Sequence, residues 1–194
     1  RPREGDHAVF WVPPYHDMGL IGAILQPLYA GYPVSLMSPS TFSQRPVRWL
    51  EAISRYKGTT SGAPNFAYDL CAERVSEAES AALDLSSWRT AINGAEPIRA
   101  ETLDHFASRF ASVGFRRSSF MPCYGLAETT LLAAGLSREQ DPTIVPVDRR
   151  SLLARRLVAS QAPDAARLVT VGPPAAGFDV RIVNPETGLE CADG

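Results

Sequence analysis

Short apolar runs alternate with segments of helical periodicity along this chain, and that alternation constrains the fold more than any other feature. Apolar runs at residues 7–12, 33–37, 59–61, 88–92 and 119–124 predict buried strands. Between them, residues 17–30, 46–54, 65–75 and 97–110 carry apolar side chains at helical spacing. Strands that alternate with helices predict an α/β fold, a layered and mostly parallel sheet flanked by helices.

Proline, glycine and aspartate predict where two of these helices begin and end. Asp17 is a candidate N-cap and Gly31 stands just past the end of the same helix, while Pro27 is expected to kink or shorten it. Pro97 is expected to open the clearest helix of the chain.

Size and charge exclude several classes of function. The 194 residues make one large domain or a piece of a larger protein, and the start at Arg1 without a methionine favours a fragment. A formal net charge of −2 argues against nucleic-acid and membrane-surface partners, which need a basic excess. No apolar run is long enough to cross a bilayer, and three scattered cysteines predict reduced thiols in a cytoplasmic protein.

The C-terminal part departs from the alternating pattern. Residues 137–167 are rich in Arg, Asp, Ala and Pro, which predicts an exposed excursion between a motif and the next strand. Residues 178–183 alternate as a half-buried strand would, and residues 184–188 form a turn sequence.

The run at residues 121–130 carries the strongest chemical signal. Within five residues it offers Tyr124 to stack on a base, Gly125 for close approach of a ligand to the backbone, and Glu128 to hold a hard cation. The alternative is that Glu128 is a helix-start carboxylate favoured by the helix dipole. Taken alone, the motif is weak.

Two further turns follow predicted strands and could line the same pocket. Residues 93–97 (NGAEP) read either as a ligand loop or as a tight strand-to-helix connection. In residues 13–19, His16 is either a capped structural histidine or a donor near a substrate carboxylate or phosphate, and Asp17 is expected to cap rather than catalyse. Parallel sheets bind ligands beyond the carboxyl ends of their strands, where these turns lie.

Taken together, the motifs resemble those of adenylate-forming enzymes. Residues 14–19 (PYHDMG), 93–97 (NGAEP) and 124–128 (YGLAE) occur in the order and rough spacing of that superfamily. Within it the chain is most similar to the fatty acyl-AMP ligases, over nearly its whole length. The supporting runs are residues 20–22, 44–46, 48–54, 61–68 and 85–89.

The resemblance implies that the full protein activates a fatty acid with ATP and Mg²⁺, giving an acyl-adenylate for transfer to an acyl-carrier protein. It implies catalytic roles for His16, between an acyl tunnel and the α-phosphate, and for Glu128, which would also hold the metal. Tyr124 would stack on adenine. The other residues implied to contact the nucleotide are Asn93, Gly94, Ala95, Glu96, Gly125, Leu126 and Ala127.

The resemblance also implies a division of the chain. Residues 1–136 would form the α/β core of a large N-terminal domain, and residues 137–170 the exposed insertion typical of fatty acyl-AMP ligases. Residues 171–194 would start a β-rich segment. In the ligases that this chain resembles, the insertion is linked to poor use of coenzyme A.

Two departures from the family pattern matter. Many members carry Thr where Ala127 stands, so Thr129 or Thr130 would have to supply that hydroxyl, or the bond is absent. The phosphate loop, the later ribose-binding Asp and the lysine-bearing C-terminal domain are missing, so the fragment alone is expected to be inactive. An acyl-CoA synthetase fragment and a non-catalytic module remain the alternatives.

Overall fold

The computed structural model describes residues 3–135 and 140–191, and the predicted α/β fold is confirmed. The strands are β1 (Ala8–Phe10), β2 (Val34–Leu36), β3 (Thr60–Ala63), β4 (Thr90–Asn93), β5 (Phe120–Gly125), β6 (Leu132–Gly135), β7 (Ile144–Val147) and β8 (Ala166–Val169). The α-helices are α1 (Gln26–Ala30), α2 (Pro39–Gln44), α3 (Val47–Tyr56), α4 (Asn65–Arg74), α5 (Glu77–Ala81), α6 (Ala100–Phe110) and α7 (Arg149–Leu153). A wide π-helical segment, Met18–Leu25, runs directly into α1.

Six strands form the main sheet, in the order β2-β1-β3-β4-β5-β6. Every pairing from β2 to β5 is parallel, and only β6 runs antiparallel to its neighbour β5. The carboxyl ends of the parallel strands therefore share one edge, which is where the candidate turns begin.

A continuous aromatic cluster forms the core under the sheet. Trp49, Tyr68, Trp88, Phe106 and Phe120 are fully or almost fully buried, with neighbouring rings in contact. Each polar ring atom finds a partner: Trp49 Nε1 donates to Ser61 Oγ at 2.7 Å, Trp88 Nε1 to the Thr90 carbonyl at 3.0 Å, and the Tyr68 hydroxyl to the Ile92 carbonyl at 2.7 Å. Large buried rings whose polar atoms are satisfied fix helices α3, α4 and α6 against the strands.

Capping places the segment after β1 as predicted. The Asp17 carboxylate accepts from Met18 N, and Gly31 ends α1 in the left-handed conformation at φ 76°. Pro27 opens the regular α-helical part instead of kinking it, because the π-helical segment precedes it.

One predicted helix start and one predicted strand are wrong. Helix α6 begins at Ala100 rather than at Pro97, because Arg99 is extended and its N–H donates to Asn65 Oδ1. Residues 178–183 form no strand, and of these residues only Val183 makes a β-bridge, with Glu190. The turn that follows them is as predicted: Asn184 Oδ1 accepts from the backbone N–H groups of Glu186 and Thr187.

The excursion contains an antiparallel hairpin of β7 and β8 joined through α7. Residues 149–158 are exposed except for Ser151, whereas the hairpin's base packs on α6. There Asp104 Oδ2 accepts from Arg167 at 2.6 Å, and Asp104 Oδ1 accepts from Arg117 at 3.2 Å. Burial acts to raise the pKa of the Asp104 carboxyl, but these two guanidinium groups outweigh it and lower the pKa. Residues 137–139 of the excursion lie outside the described residues.

Candidate functional site

A cavity of about 480 Å³ opens at the carboxyl edge of the sheet. Of the residues predicted to form the site, it brings together His16, Ala95, Gly125, Leu126 and Ala127. The others lie outside its lining: Asn93, Gly94, Glu96, Tyr124 and Glu128. A volume of this size suits a small organic ligand.

Most of the lining is apolar and was not predicted from the motifs. The walls carry Phe10, Met18, Gly22, Ile92, Met121, Leu131 and Leu132. Met18 and Gly22 are four residues apart at the start of the first helical segment. Residues at this spacing share one face of a helix, so the sequence could have predicted that these two lie together. Leu131 and Leu132 directly follow the Tyr124 motif. Such a surface favours the hydrocarbon part of a ligand.

A second cleft of about 430 Å³ adjoins this cavity. It shares Tyr15, His16, Asp17 and Ala127 with the cavity and adds Pro14, Leu20, Ile21 and Thr130. His16 therefore stands where the apolar cavity meets a more open cleft. Its side chain is 52% exposed, so a ligand in either space can reach the imidazole.

The turn after β4 is fixed by an amide network. Asn93 is fully buried, and its Nδ2 donates to Asn65 Oδ1 at 3.2 Å, while Asn93 Oδ1 has no partner among the described residues. Glu96 Oε1 accepts from Phe66 N at 3.3 Å. Ala95 has a positive φ of 67° and is the one residue of this turn that reaches the cavity. Hydrogen bonds of Asn93 and Glu96 thus fix the conformation of the turn, and Ala95 is its residue that lines the cavity.

The two motif glycines are required by packing within the chain itself. A Cβ on Gly94 would lie 2.8 Å from Cys123 Sγ, and a Cβ on Gly125 would lie 1.7 Å from the Leu131 carbonyl oxygen. The second contact arises because β5 and β6 pair with an irregular register between Tyr124 and Gly125. Gly125 is therefore explained by the closing of the β5–β6 loop, without a ligand.

The loop after Gly125 holds the candidate metal ligand. Ala127–Thr129 form a short 3-10 turn, and Glu128 is exposed with no ion pair or hydrogen bond within residues 3–135 and 140–191. The Tyr124 ring is half exposed. Among the described residues, no group of three or more His, Cys, Asp or Glu side chains is placed to enclose a metal ion. A cation at Glu128 would therefore need ligands from water and substrate.

The hydroxyls of Thr129 and Thr130 differ in their availability. Thr129 Oγ1 donates to the Leu126 carbonyl at 3.0 Å. Thr130 is exposed in the open cleft, has no hydroxyl partner in the described part of the chain, and has φ 72° and ψ −56°. That backbone conformation is rare and strained for a β-branched residue.

Comparison with known proteins identifies the class to which this sheet and cleft belong. The fold is that of the N-terminal domain of adenylate-forming enzymes. The fatty acyl-adenylate ligase of Legionella pneumophila was solved in complex with acyl adenylate and pyrophosphate. It superposes on this chain with a TM-score of 0.93 at 43% identity, over 98% of this chain and 33% of its own length. The family model described as "AMP-binding enzyme" matches residues 1–194. The chain belongs to the AMP-binding enzyme family.

Curated relatives resemble the chain over most of its length. The medium-chain-fatty-acid–[acyl-carrier-protein] ligase TtuA of Teredinibacter turnerae is 46% identical over 95% of this chain and 29% of its own length. JamA of Moorena producens, with the same description, is 45% identical over 95% of this chain and 32% of its own length. The chain thus spans about a third of the relatives that it matches. No helix within the described ranges is long and apolar enough to cross a membrane.

Proposed function

We propose that the full-length protein activates a fatty acid with ATP to an acyl-adenylate and passes the acyl group to an acyl-carrier protein. The observation that carries this proposal is the mainly apolar cavity of about 480 Å³, which is bordered by His16 and the turn of Gly125, Leu126 and Ala127. The similarity to a ligase solved with acyl adenylate and to two carrier-protein ligases supports the same reaction. A cytoplasmic setting fits this chemistry.

The site residues divide the work by position. The apolar walls would take the acyl chain, and His16, at the junction of the two clefts, would donate to the carboxylate or α-phosphate at the reacting end. Ala95 would contact the adenine edge, held in place by Asn93, Gly94 and Glu96, and the half-exposed Tyr124 ring would stack on the base. Donors placed where negative charge develops lower the barrier to joining two anions.

Glu128 would hold the divalent cation, which we propose to be Mg²⁺. A single exposed carboxylate suits Mg²⁺, because this ion commonly keeps several waters and binds substrate phosphates alongside one or two protein carboxylates. When bound, the cation supplies charge neutralisation between carboxylate and phosphate.

The hydroxyl that the family pattern places at position 127 would come from Thr130. Thr129 is already engaged with the Leu126 carbonyl, whereas Thr130 is unpaired among the described residues and lies in the cleft that also contains His16 and Ala127. Its strained backbone is the kind of local cost that is found at ligand sites.

The division of the chain stays a proposal: residues 1–136 as core, 137–170 as the insertion that marks an acyl-AMP ligase, and 171–194 as the start of the next segment. The β7–β8 hairpin lies within that proposed insertion. The parent protein would be either free-standing or part of a synthase.

A product assay on the full-length protein tests the proposal. Supplied with ATP, Mg²⁺ and a fatty acid, it should form acyl-adenylate and acylate a holo carrier protein in preference to coenzyme A. Efficient acyl-CoA formation would instead identify an acyl-CoA synthetase. The Glu128→Gln variant should lose adenylate formation, whereas Glu73→Gln, an exposed carboxylate on α4, should retain it. Unchanged activity in Glu128→Gln removes Glu128 from the site, and no adenylate in the unaltered protein favours a non-catalytic module.

A further inference from the structure

Residues 149–158, which contain α7 and join β7 to β8, form a lobe with a basic surface. The lobe has no carboxylate of its own and four arginines: Arg149, Arg150, Arg155 and Arg156. All four side chains belong to exposed residues, and none forms an ion pair with a carboxylate in the described part of the chain. The lobe therefore offers four guanidinium groups that are free to meet acidic groups of another molecule.

Large apolar side chains of the same lobe are also open to solvent. Leu153 is 87% exposed and Leu157 is 63% exposed. Single exposed leucines are common on protein surfaces, but here they share ten residues with unpaired guanidinium groups. Arginine beside apolar side chains is typical of the surfaces at which proteins bind each other.

Hydrogen bonds within the chain hold the lobe in one shape. Asp148 Oδ1 accepts from Ser151 N at 2.7 Å, and Asp148 N donates to the Val158 carbonyl at 2.8 Å, which closes the base of the lobe. After α7, Arg156 N donates to the Ser151 carbonyl at 2.8 Å, and Arg155 has a positive φ of 58°. Such a φ is costly for a residue other than glycine, and this kind of strain concentrates in functional segments. A partner would therefore find the lobe already ordered.

The hairpin that carries the lobe is attached beside the cavity. Leu168 of β8 forms a β-bridge with Arg99, which follows the turn whose Ala95 lines the cavity. The last pair of the hairpin before the lobe is Val147 with Ala166. Ala166 is two residues from Leu168, which is about 7 Å at the rise of a strand. The lobe thus begins close to the edge of the sheet at which the candidate site lies.

We propose that residues 149–158 are a docking surface for the acyl-carrier protein and bind an acidic face of it that also carries apolar side chains. The inference rests on the proposed function, in which the acyl group leaves the site on a carrier protein. An acidic partner supplies the carboxylates that the four guanidinium groups lack, whereas burying these groups unpaired would cost free energy. An anionic lipid surface offers the same charge, but it needs no lobe of fixed shape, and the net charge of −2 opposes binding there.

The two steps of the proposed reaction separate docking from chemistry. In the full-length protein, Arg150→Glu/Arg156→Glu should leave acyl-adenylate formation unchanged. The KM for holo carrier protein should rise at least about tenfold with little change in kcat, because like charges then face each other across the interface. The control Arg55→Glu/Arg74→Glu makes the same change of charge at exposed positions of α3 and α4 and should leave this KM unchanged.

Hydrogen–deuterium exchange tests the docking surface without a charge reversal. Adding holo carrier protein to the unaltered full-length protein should slow exchange in residues 149–158. Added salt should reverse this effect, because it screens exposed charge pairs. Leu153→Ser, which removes the most exposed leucine of the lobe, should weaken the protection and raise the KM for holo carrier protein.

Three results would overturn the inference: an unchanged KM in Arg150→Glu/Arg156→Glu, an equal rise of KM in the control, or slow exchange throughout the lobe before carrier protein is added. The last result would mean that the rest of the parent polypeptide covers the lobe. Binding to vesicles of phosphatidylglycerol and phosphatidylcholine that the lobe variant abolishes, with its KM unchanged, would assign the lobe to a lipid surface instead. If the lobe variant unfolds, Leu153→Ser and the exchange of the unaltered protein still decide. Failure of the proposed function is seen separately, as no acyl-adenylate from the unaltered protein.

Discussion

Replacing Gly125 by alanine tests whether this motif glycine serves the fold or a ligand. The added Cβ would lie 1.7 Å from the Leu131 carbonyl oxygen and 2.8 Å from the Leu131 carbonyl carbon. Cβ atoms do not approach other atoms closer than 3.0 Å, so the two sides of the β5–β6 loop must separate by more than ~1 Å. Both obstructing atoms are backbone, so no side-chain rotation relieves the clash.

The expected cost is about 1–3 kcal/mol of unfolding free energy, the usual range for an over-packed site. Denaturant unfolding of the full-length protein, followed by circular dichroism, measures it. Gly22→Ala is the matched control: its Cβ would meet only the Leu131 Cδ2 methyl at 3.3 Å, which can move aside, so its stability should change by less than ~1 kcal/mol. Normal stability in Gly125→Ala together with lost adenylate binding would refute the packing argument and favour ligand approach.

Three further predictions concern the described surface and core. Asp104→Asn should release the β7–β8 hairpin and speed proteolysis within residues 149–158. Because the folded-state pKa of Asp104 is lowered, its stabilising contribution is present above its unfolded pKa of about 4 and is lost as the pH falls below that value. Proteolysis of the unaltered protein should therefore be faster at pH 3 than at pH 7, and an unchanged rate contradicts this. Thr130→Gly should raise stability because glycine adopts the positive φ without strain, yet both Thr130→Gly and Thr130→Val should lose adenylation because each lacks the hydroxyl. If the Thr130→Gly variant retains adenylation activity, the hydroxyl is not used. Burial raises the pKa of the Cys123 thiol to about 11, so at pH 8 iodoacetamide should label exposed Cys191 much faster than Cys123, which mass spectrometry compares; equal rates contradict the burial of Cys123.

Local sequence patterns predicted the parallel part of the sheet because each element there follows its own periodicity. The cap at Asp17 and the glycine end at Gly31 are equally local, and both are confirmed. The start of α6 was predicted wrongly because it depends on Asn65, which lies 34 residues before Arg99 and takes up its N–H. No rule based on neighbouring residues contains that contact.

The site was predictable in its motif residues and not in its walls. The motifs indicate His16 and Gly125 to Ala127, which line the cavity, and also Asn93 and Glu96, which do not line it but hydrogen-bond to Asn65 and Phe66. Which residue of a turn faces a cavity depends on backbone conformations such as the positive φ of Ala95, and these are set by tertiary packing. The strand predicted at residues 178–183 fails for a related reason: alternating apolar residues need a neighbouring strand, and one bridge does not supply it.

The strand order has a consequence for the time course of folding. Strand β1 can pair with β2 before β3 has been made, but its contact with β3 brings together residues such as His7 and Thr59, which are 52 positions apart. Closing so long a loop costs more entropy than closing the β5–β6 hairpin, where Cys123 meets Gly135. The two sides of the cavity therefore depend on the most distant and the most local pairings of the sheet, and the distant one should limit the rate at which the cavity appears.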